Sequence, residues 1–344
     1  MRRDPGAGSR PLGRRARVAL ALVAAGLAAG AAAQEVRTAR QTPFPANPDF
    51  AALDVETLHV QGNVYLIAGA GANIAVQVGD DGVVMVDTGY AQMADDVLAA
   101  VAALTDRPIR TIVNTTLADD HTGANAQMVA AGRLNQAGPG MAGRPNEGDL
   151  VAHAELLRLM TEIGDDEIAT DRWPPSTFSG AKKDFHANGE AIEIRHQPAA
   201  TAGDSFVWFR GSDVIAAGEL FNMTSFPYID VEHGGTIEGI LDGLNTLLDI
   251  IVPAHHQEGG TMVIPSHGRI GDEHDVLEYR DMLTIIRDRV QHAIDSGLTL
   301  AQIHALTPSV TYEYEPRFDR DPTWTARMFV EAIYRNLAAE REGS

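Results

Sequence analysis

Five short segments gather the side chains able to do chemistry. They are Val86-Asp87-Thr88-Gly89, Asn114-Thr115-Thr116-Leu117-Ala118-Asp119-Asp120-His121-Thr122-Gly123, Ala200-Thr201-Ala202-Gly203-Asp204, Gly218-Glu219-Leu220-Phe221 and Pro265-Ser266-His267-Gly268. Their imidazoles and carboxylates are the groups that hold divalent ions and move protons. The 344 residues include no cysteine, which excludes a disulfide, a thiolate nucleophile and a Cys-ligated zinc, so any metal must be held by His and carboxylates. Taken singly the segments say little. His121 or His267 alone is better explained by hydrogen bonding to loop backbone, and Asp204 by capping its own turn before Ser205. Asp120 and Glu219 follow apolar runs, in the kind of loop that carries function.

The elements that must position these loops alternate between strand and helix patterns. Segments 55–61 and 64–67 flank Gly62-Asn63, and 74–78 and 83–86 flank Asp80-Asp81-Gly82, which predicts two hairpins. Helical spacing marks 91–104, 124–131 and an amphipathic stretch at 150–163, with a strand at 109–113 and a Gly/Pro-rich loop at 138–145 between them. A second strand-rich half begins near Lys183, with strands at 191–196, 205–210, 214–217 and 262–265 and the Asn188-Gly189 and Gly211-Ser212 turns. Helices are predicted at 237–251, 272–294, 300–306 and 323–337. Two β-rich halves, each followed by helices, imply an α/β fold of αββα layers: two packed sheets with helices outside. Trp173, Trp208 and Trp324 read as packing residues, and Phe226–Asp230 with Gly234-Gly235 as a wall near Glu219.

Together, in this order and spacing, the five segments resemble the metallo-β-lactamase superfamily, from about Val55 to Arg269. The resemblance implies a four-layer αββα sandwich whose loops supply ligands for two metal ions. It departs at the ligands. Thr116, Ala118 and Ala200 stand where the family has the three histidines of its first metal position, and neither a methyl group nor a threonine hydroxyl replaces an imidazole on a transition metal. Asp120, His121 and His267 match the second position, and Glu219 replaces the bridging Asp. The resemblance thus implies one divalent ion on His121, His267, Asp120 and Glu219, zinc first, with iron or manganese as alternatives. Asp87 would orient the loop beside the metal, and Asp204 and Asp230 would stand around the pocket. Asp119 and His196 are candidate general bases by sequence proximity alone, and His255-His256 would lie in a loop beside the pocket. Without a cation, Asp120, Glu219 and Asp87 in one pocket would push a carboxylate toward protonation unless the histidines compensate.

The function this implies is metal-dependent hydrolysis of an ester, lactone, lactam or similar bond, with Asp120 orienting the attacking water. A non-catalytic ligand-binding protein on the same fold is the alternative, and an acidic structural partner a third reading. The first 33 residues hold six Arg and one acid, Asp4, a net +5 that leaves −25 of the total −20 on the remainder. That charge opposes nucleic acid or an anionic membrane surface as partner and favours a small-molecule substrate. Arg14-Arg15-Ala16-Arg17, an apolar run to Ala33 and the Ala31-Ala32-Ala33 end describe a signal peptide cleaved near Ala33-Gln34, hence a periplasmic or secreted protein without stable membrane insertion afterwards. The expected organisation is signal 1–33, a flexible leader 34–50, the αββα domain 51–270 and a helical extension 271–344 packed on it, whose apolar stripe offers a homodimer surface.

Overall fold

A computed structural model describes residues 48–134, 148–257, 259–311 and 313–342. The expected signal, its cleavage site, nearly all of the leader and the 138–145 loop lie outside the described residues.

The first sheet has seven strands in the order β1 to β7. β1 (Glu56–Gln61), β2 (Val64–Ala68), β3 (Ile74–Gly79) and β4 (Gly82–Val86) form an antiparallel meander, since short Gly- and Asp-containing turns return the chain directly. β5 (Ile109–Val113), β6 (Asp149–His153) and β7 (Ser176–Phe178) add in parallel. Parallel pairing needs crossovers, supplied by α1 (Ala94–Leu104), by α2 (Asp119–Thr122) and α3 (Asn125–Gly132), and by α4 (Ala154–Ile163). The second sheet runs β12-β11-β10-β9-β8, with β8 (Lys182–Ala187), β9 (Glu190–His196), β10 (Ser205–Phe209) and β11 (Val214–Ala216) antiparallel. β12 (Met262–Ile264) joins β11 in parallel after α5 (Ile237–Ile250). The chain ends in α6 (Glu273–Asp295), α7 (Leu300–Thr311), α8 (Glu315–Phe318) and α9 (Ala326–Glu342).

Side-chain alternation along the strands builds the layers. In β4, Val84 and Val86 face a core shared with Ile192, Val207 and Ile264 of the second sheet, while Val83 and Met85 face Val97 and Val101 of α1 and Met128 of α3. On the far side Phe206, Ile215 and Val263 pack with α5, α6 and α9 through Leu244, Leu283 and Phe329. The result is the αββα sandwich that the alternation of signals implied. α6 is held at its start by a capping box, in which Asp272 accepts from the backbone of Asp275 and Asp275 accepts from that of Asp272. Arg269 clamps the same Asp275 with two bonds of 2.6 and 2.8 Å, which ties the helical segment to the His267 loop.

One expectation is corrected. Residues 150–163 are not a single helix: 149–153 is β6, and α4 begins at Ala154. Leu150, Val151 and Ala152 are all buried and lie between β5 and β7, and sheet pairing outweighs their helical spacing. His153 closes the strand and caps the helix, its Nδ1 accepting from the Glu155 amide at 3.2 Å. α7 also runs on to Thr311 rather than ending at Leu306.

Candidate metal centre

All the candidate ligands leave the carboxyl ends of strands, the edge where ligand sites of parallel sheets form. Asp87 follows β4, the 114–123 loop follows β5, Glu219 follows β11 and His267 follows β12. Backbone bonds hold these loops against one another. The Thr88 amide donates to the His121 carbonyl at 2.7 Å, Ser205 to Thr115 at 2.8 Å, Ser266 to Phe221 at 2.8 Å and Met223 to His267 at 3.0 Å. Gly218 stands at φ 54°, and a Cβ there would come 2.7 Å from Thr115 Oγ1, so the turn that delivers Glu219 requires glycine.

Four side chains from these separate loops converge. His121 Nε2 lies 2.8 Å from Glu219 Oε1, and His267 Nε2 lies 3.0 Å from Asp120 Oδ2 and 4.0 Å from Glu219 Oε1. One donor atom each from Asp120, His121 and His267 lies within 4.8 Å of the others. His121 is fully buried, and its other nitrogen, Nδ1, bonds Asp87 Oδ2 at 2.8 Å. Asp87 is fixed in turn by the Thr115 amide at 2.8 Å and the Thr115 hydroxyl at 2.5 Å. It is one of few non-glycine residues with a left-handed backbone, φ 63°, a strain its bonded carboxylate holds in place.

Burial alone would raise the pKa of Asp120 and lower that of His121. For Asp120 the nearby charge of His121 and the hydrogen bond with His267 prevail and pull the carboxyl down to about 2. For His121 the carboxylates of Asp87 and Asp120 prevail and hold the imidazole well above its ordinary value. The histidines therefore compensate the acids, and Asp120 is a carboxylate rather than the protonated acid that crowding alone would produce. The donor set suits a divalent ion. An Nδ1–H bonded to a carboxylate presents Nε2 as ligand, the arrangement that fixes metal-binding histidines in many sites, and two oxygen donors complete a mixed set tolerated by zinc, iron or manganese.

The position opposite is differently furnished. Thr116 and Ala200 are buried, and the Thr116 hydroxyl bonds Asp204, which also accepts from the Thr201 amide at 2.9 Å and hydroxyl at 2.6 Å. Even with these bonds, burial pushes the Asp204 carboxyl up to about 6. A cleft of about 290 Å³ opens over both positions, bounded below by Thr116, Ala118 and Ala200 and on the metal side by Asp120, Glu219 and His267. Asp230 lines it too, its carboxylate bonded to His233 Nδ1 at 2.7 Å.

Two candidate bases are elsewhere. Asp119 points outward and pairs with Arg172 at 2.7 Å, because adjacent residues on a helical turn face different directions. His196 Nε2 donates to the Ala202 carbonyl, 2.8 Å away, and the ring stacks on His153 with ring centres 3.5 Å apart. Neither lines the cleft. The His255-His256 loop lies at the other end of β12 from His267, against the turn before β11, where Gln257 reaches Asp213 at 2.7 Å. Trp324 is not only a packing residue: it walls the cleft, edge-on to Tyr228 at 4.7 Å, with Nε1 donating to the Pro227 carbonyl at 3.0 Å.

Other contributors were not singled out in the sequence. Asn73 binds three points of the His267 loop, its amide donating to Ser266 at 2.7 Å and its side chain to Pro265 and Gly268 at 3.0 and 2.9 Å, while the neighbouring Ala72 amide holds the Asp120 carbonyl. An Asn closing the Gly69-Ala70-Gly71 turn was the available signal. Tyr90 lines the cleft beside Asp120, and burial with the charges of Asp120, Asp119 and Asp321 holds its phenol above the ordinary range.

Comparison with known proteins agrees with this architecture. The stereoselective inverting sec-alkylsulfatase Pisa1 from Pseudomonas sp. superposes with a TM-score of 0.58 at 15% identity, over 82% of this chain and 50% of its own. The chain thus spans about half the length of that enzyme. A metallo-beta-lactamase from Pontibacter korlensis superposes with a TM-score of 0.52 at 16% identity, over 67% of this chain and 99% of its own. These are likenesses of fold. No curated protein matches the chain by sequence. The family model of the metallo-beta-lactamase superfamily matches residues 59–305, well over half of the sequence, and the chain belongs to that superfamily.

Proposed function

We propose that the chain is a metal-dependent hydrolase of an ester, lactone, lactam or similar acyl bond, working with one divalent ion held by His121, His267, Asp120 and Glu219. The observation that carries this reading is the convergence of those four side chains from three loops, with His121 braced from behind by Asp87. The superposing proteins are an alkylsulfatase and a lactamase, and hydrolysis is what their names share. A divalent ion bound there would acidify water and polarise the scissile bond, zinc being the first candidate. Among the chain's own groups, Asp120 is the carboxylate placed to accept a proton from the attacking water, and it is ionised across the neutral range. Thr116, Ala118 and Ala200 leave space for substrate beside the ion.

Asp119 and His196 face away from the cleft, so no further general base accompanies Asp120 from that pair. That observation favours the second reading, a ligand-binding protein that has lost turnover. Metal analysis of protein purified without chelators separates them. About one equivalent per chain supports the hydrolase, and less than about a tenth of an equivalent overturns it. With metal present, His267→Ala removes both the ion and any turnover of test esters and lactones; turnover that survives the substitution places the active site elsewhere. Export through the N-terminal signal belongs to the same proposal, as does an αββα domain at 51–270 carrying the helical extension. Fractionation of cells expressing the full chain checks the first, with a periplasmic or secreted product beginning near Gln34 as the expected result.

A further inference from the structure

The cleft over the candidate metal centre has a distinct outer wall, built by the turn between α8 and α9 together with Tyr228. Trp324 and Tyr228 meet edge to face at 4.7 Å, and Tyr228 is 46% exposed, so one aromatic surface remains open to a ligand. Asp321 and Thr323 complete that wall, Asp321 Oδ1 accepting from the Thr323 amide at 2.8 Å and hydroxyl at 2.6 Å. Tyr90 stands across from them, close enough to feel the charge of Asp321. Four carboxylates line the cleft, Asp120, Glu219, Asp230 and Asp321, and its described lining includes no lysine or arginine. One divalent ion would offset two of these charges, and those of Asp230 and Asp321 would remain.

Resting on the hydrolase reading of the same site, we propose that its substrate carries an organic cation, seated against Trp324, Tyr228 and Asp321 while the bond to be cleaved lies over Asp120 and Glu219. An alkylammonium group satisfies both features of the wall. The aromatic faces attract it through their quadrupoles, and the carboxylate supplies its counter-charge without a bond donor being needed from the ligand. An anionic substrate, such as a sulfate ester or a molecule with a free carboxylate, meets only like charge there and finds no described cationic side chain to pair with.

Binding of choline and of 3,3-dimethylbutan-1-ol, its uncharged isostere, to the metal-loaded full chain tests the proposal by calorimetry. Choline is expected to bind about tenfold more tightly, the span of a partly desolvated cation–aromatic contact. Asp321→Asn, a rim change that leaves the four candidate ligands and the aromatic pair intact, should lower that preference about threefold without altering the alcohol's affinity. Trp324→Ala should weaken both. Equal affinity of the two compounds, or a preference that Asp321→Asn leaves unchanged, overturns the proposed cation site. Turnover of acetylcholine against 3,3-dimethylbutyl acetate gives the second readout. If choline is preferred in binding and neither ester is cleaved, the hydrolase reading falls and the cation site stands. If both esters are cleaved with equal kcat/KM, the cation proposal falls and the hydrolase stands.

Discussion

The two halves of the candidate centre sit side by side at the ends of the same strands and are built on opposite principles. On one side His121, His267, Asp120 and Glu219 are ionisable groups braced by further ionisable and polar groups, with Asp87 and Thr115 behind His121. On the other, Thr116, Ala118 and Ala200 are small, and the one polar network, Thr116 and Thr201 around Asp204, is bonded inward upon itself. The half bearing the histidines carries supports as well as candidate ligands, whereas the other half has its polar groups bonded among themselves.

Breaking the braced half should have the largest effect. Asp87→Ala leaves His121 buried without its Nδ1 partner and strips two bonds from Thr115, and removing one member of such a buried pair costs about 3–5 kcal/mol. Loss of the group that orients a ligating histidine should also weaken metal binding by about 10- to 100-fold. Urea unfolding and metal titration check the two numbers. Asp87→Asn, which keeps the shape and tolerates the left-handed backbone, should recover part of the stability but little of the affinity.

The other half should respond to pH instead. Asp204 has its carboxyl raised to about 6 from an ordinary value near 4 by burial, so the folded state holds a proton that the unfolded state releases between those values. Stability from this group is present below about pH 4, falls as pH rises toward 6, and is gone above it, a loss of about 3 kcal/mol at roughly 1.4 kcal/mol per unit. Asp204→Asn should flatten that part of the stability profile relative to the unsubstituted protein. The comparison can also be reversed. Thr116→His, Ala118→His and Ala200→His together should raise bound metal from about one to about two equivalents. Placing three rings at a site with two buried small residues should cost about 1–3 kcal/mol of stability. A triple variant that folds and still binds a single equivalent would show that the half is closed by more than its missing ligands.

Much of this was legible in the sequence because local pattern and global fold agree. The Gly62-Asn63 and Asn188-Gly189 turns set the hairpins they signalled, and the apolar runs of β3 and β4 became strands of the first sheet buried on both faces. That Asp120, His121, Glu219 and His267 come together was expected from their order along the chain, since loops after parallel strands gather at one end. What failed depended on direction or on distant pairing. Asp119 adjoins Asp120, yet one step along a helical turn aims it at Arg172. His196 lay nearest the site in sequence and instead stacks on His153. Residues 149–153 carry a helix-like spacing that only the flanking strands β5 and β7 override. Trp324, more than fifty residues past His267, reaches the cleft by folding of the terminal helices, which no local pattern records.

The smallest expected effect compares two imidazoles. His121 and His153 are both buried, and they shift in opposite directions: carboxylates hold His121 up, whereas burial and the adjoining ring of His196 push His153 below its ordinary value. The sign for His153 follows from proton uptake. Above pH 6.5 it is neutral folded and unfolded and contributes nothing; as pH falls below 6.5 the unfolded chain takes up a proton that the stacked ring resists, and stability declines. His196→Gln removes the neighbouring charge, so the His153 resonance should titrate at higher pH by NMR, and the stability lost between pH 7 and pH 5 should shrink. An unchanged His153 titration would mean that burial alone sets its value. The contrast with His121 would then rest on the carboxylates of the metal centre rather than on the company each ring keeps.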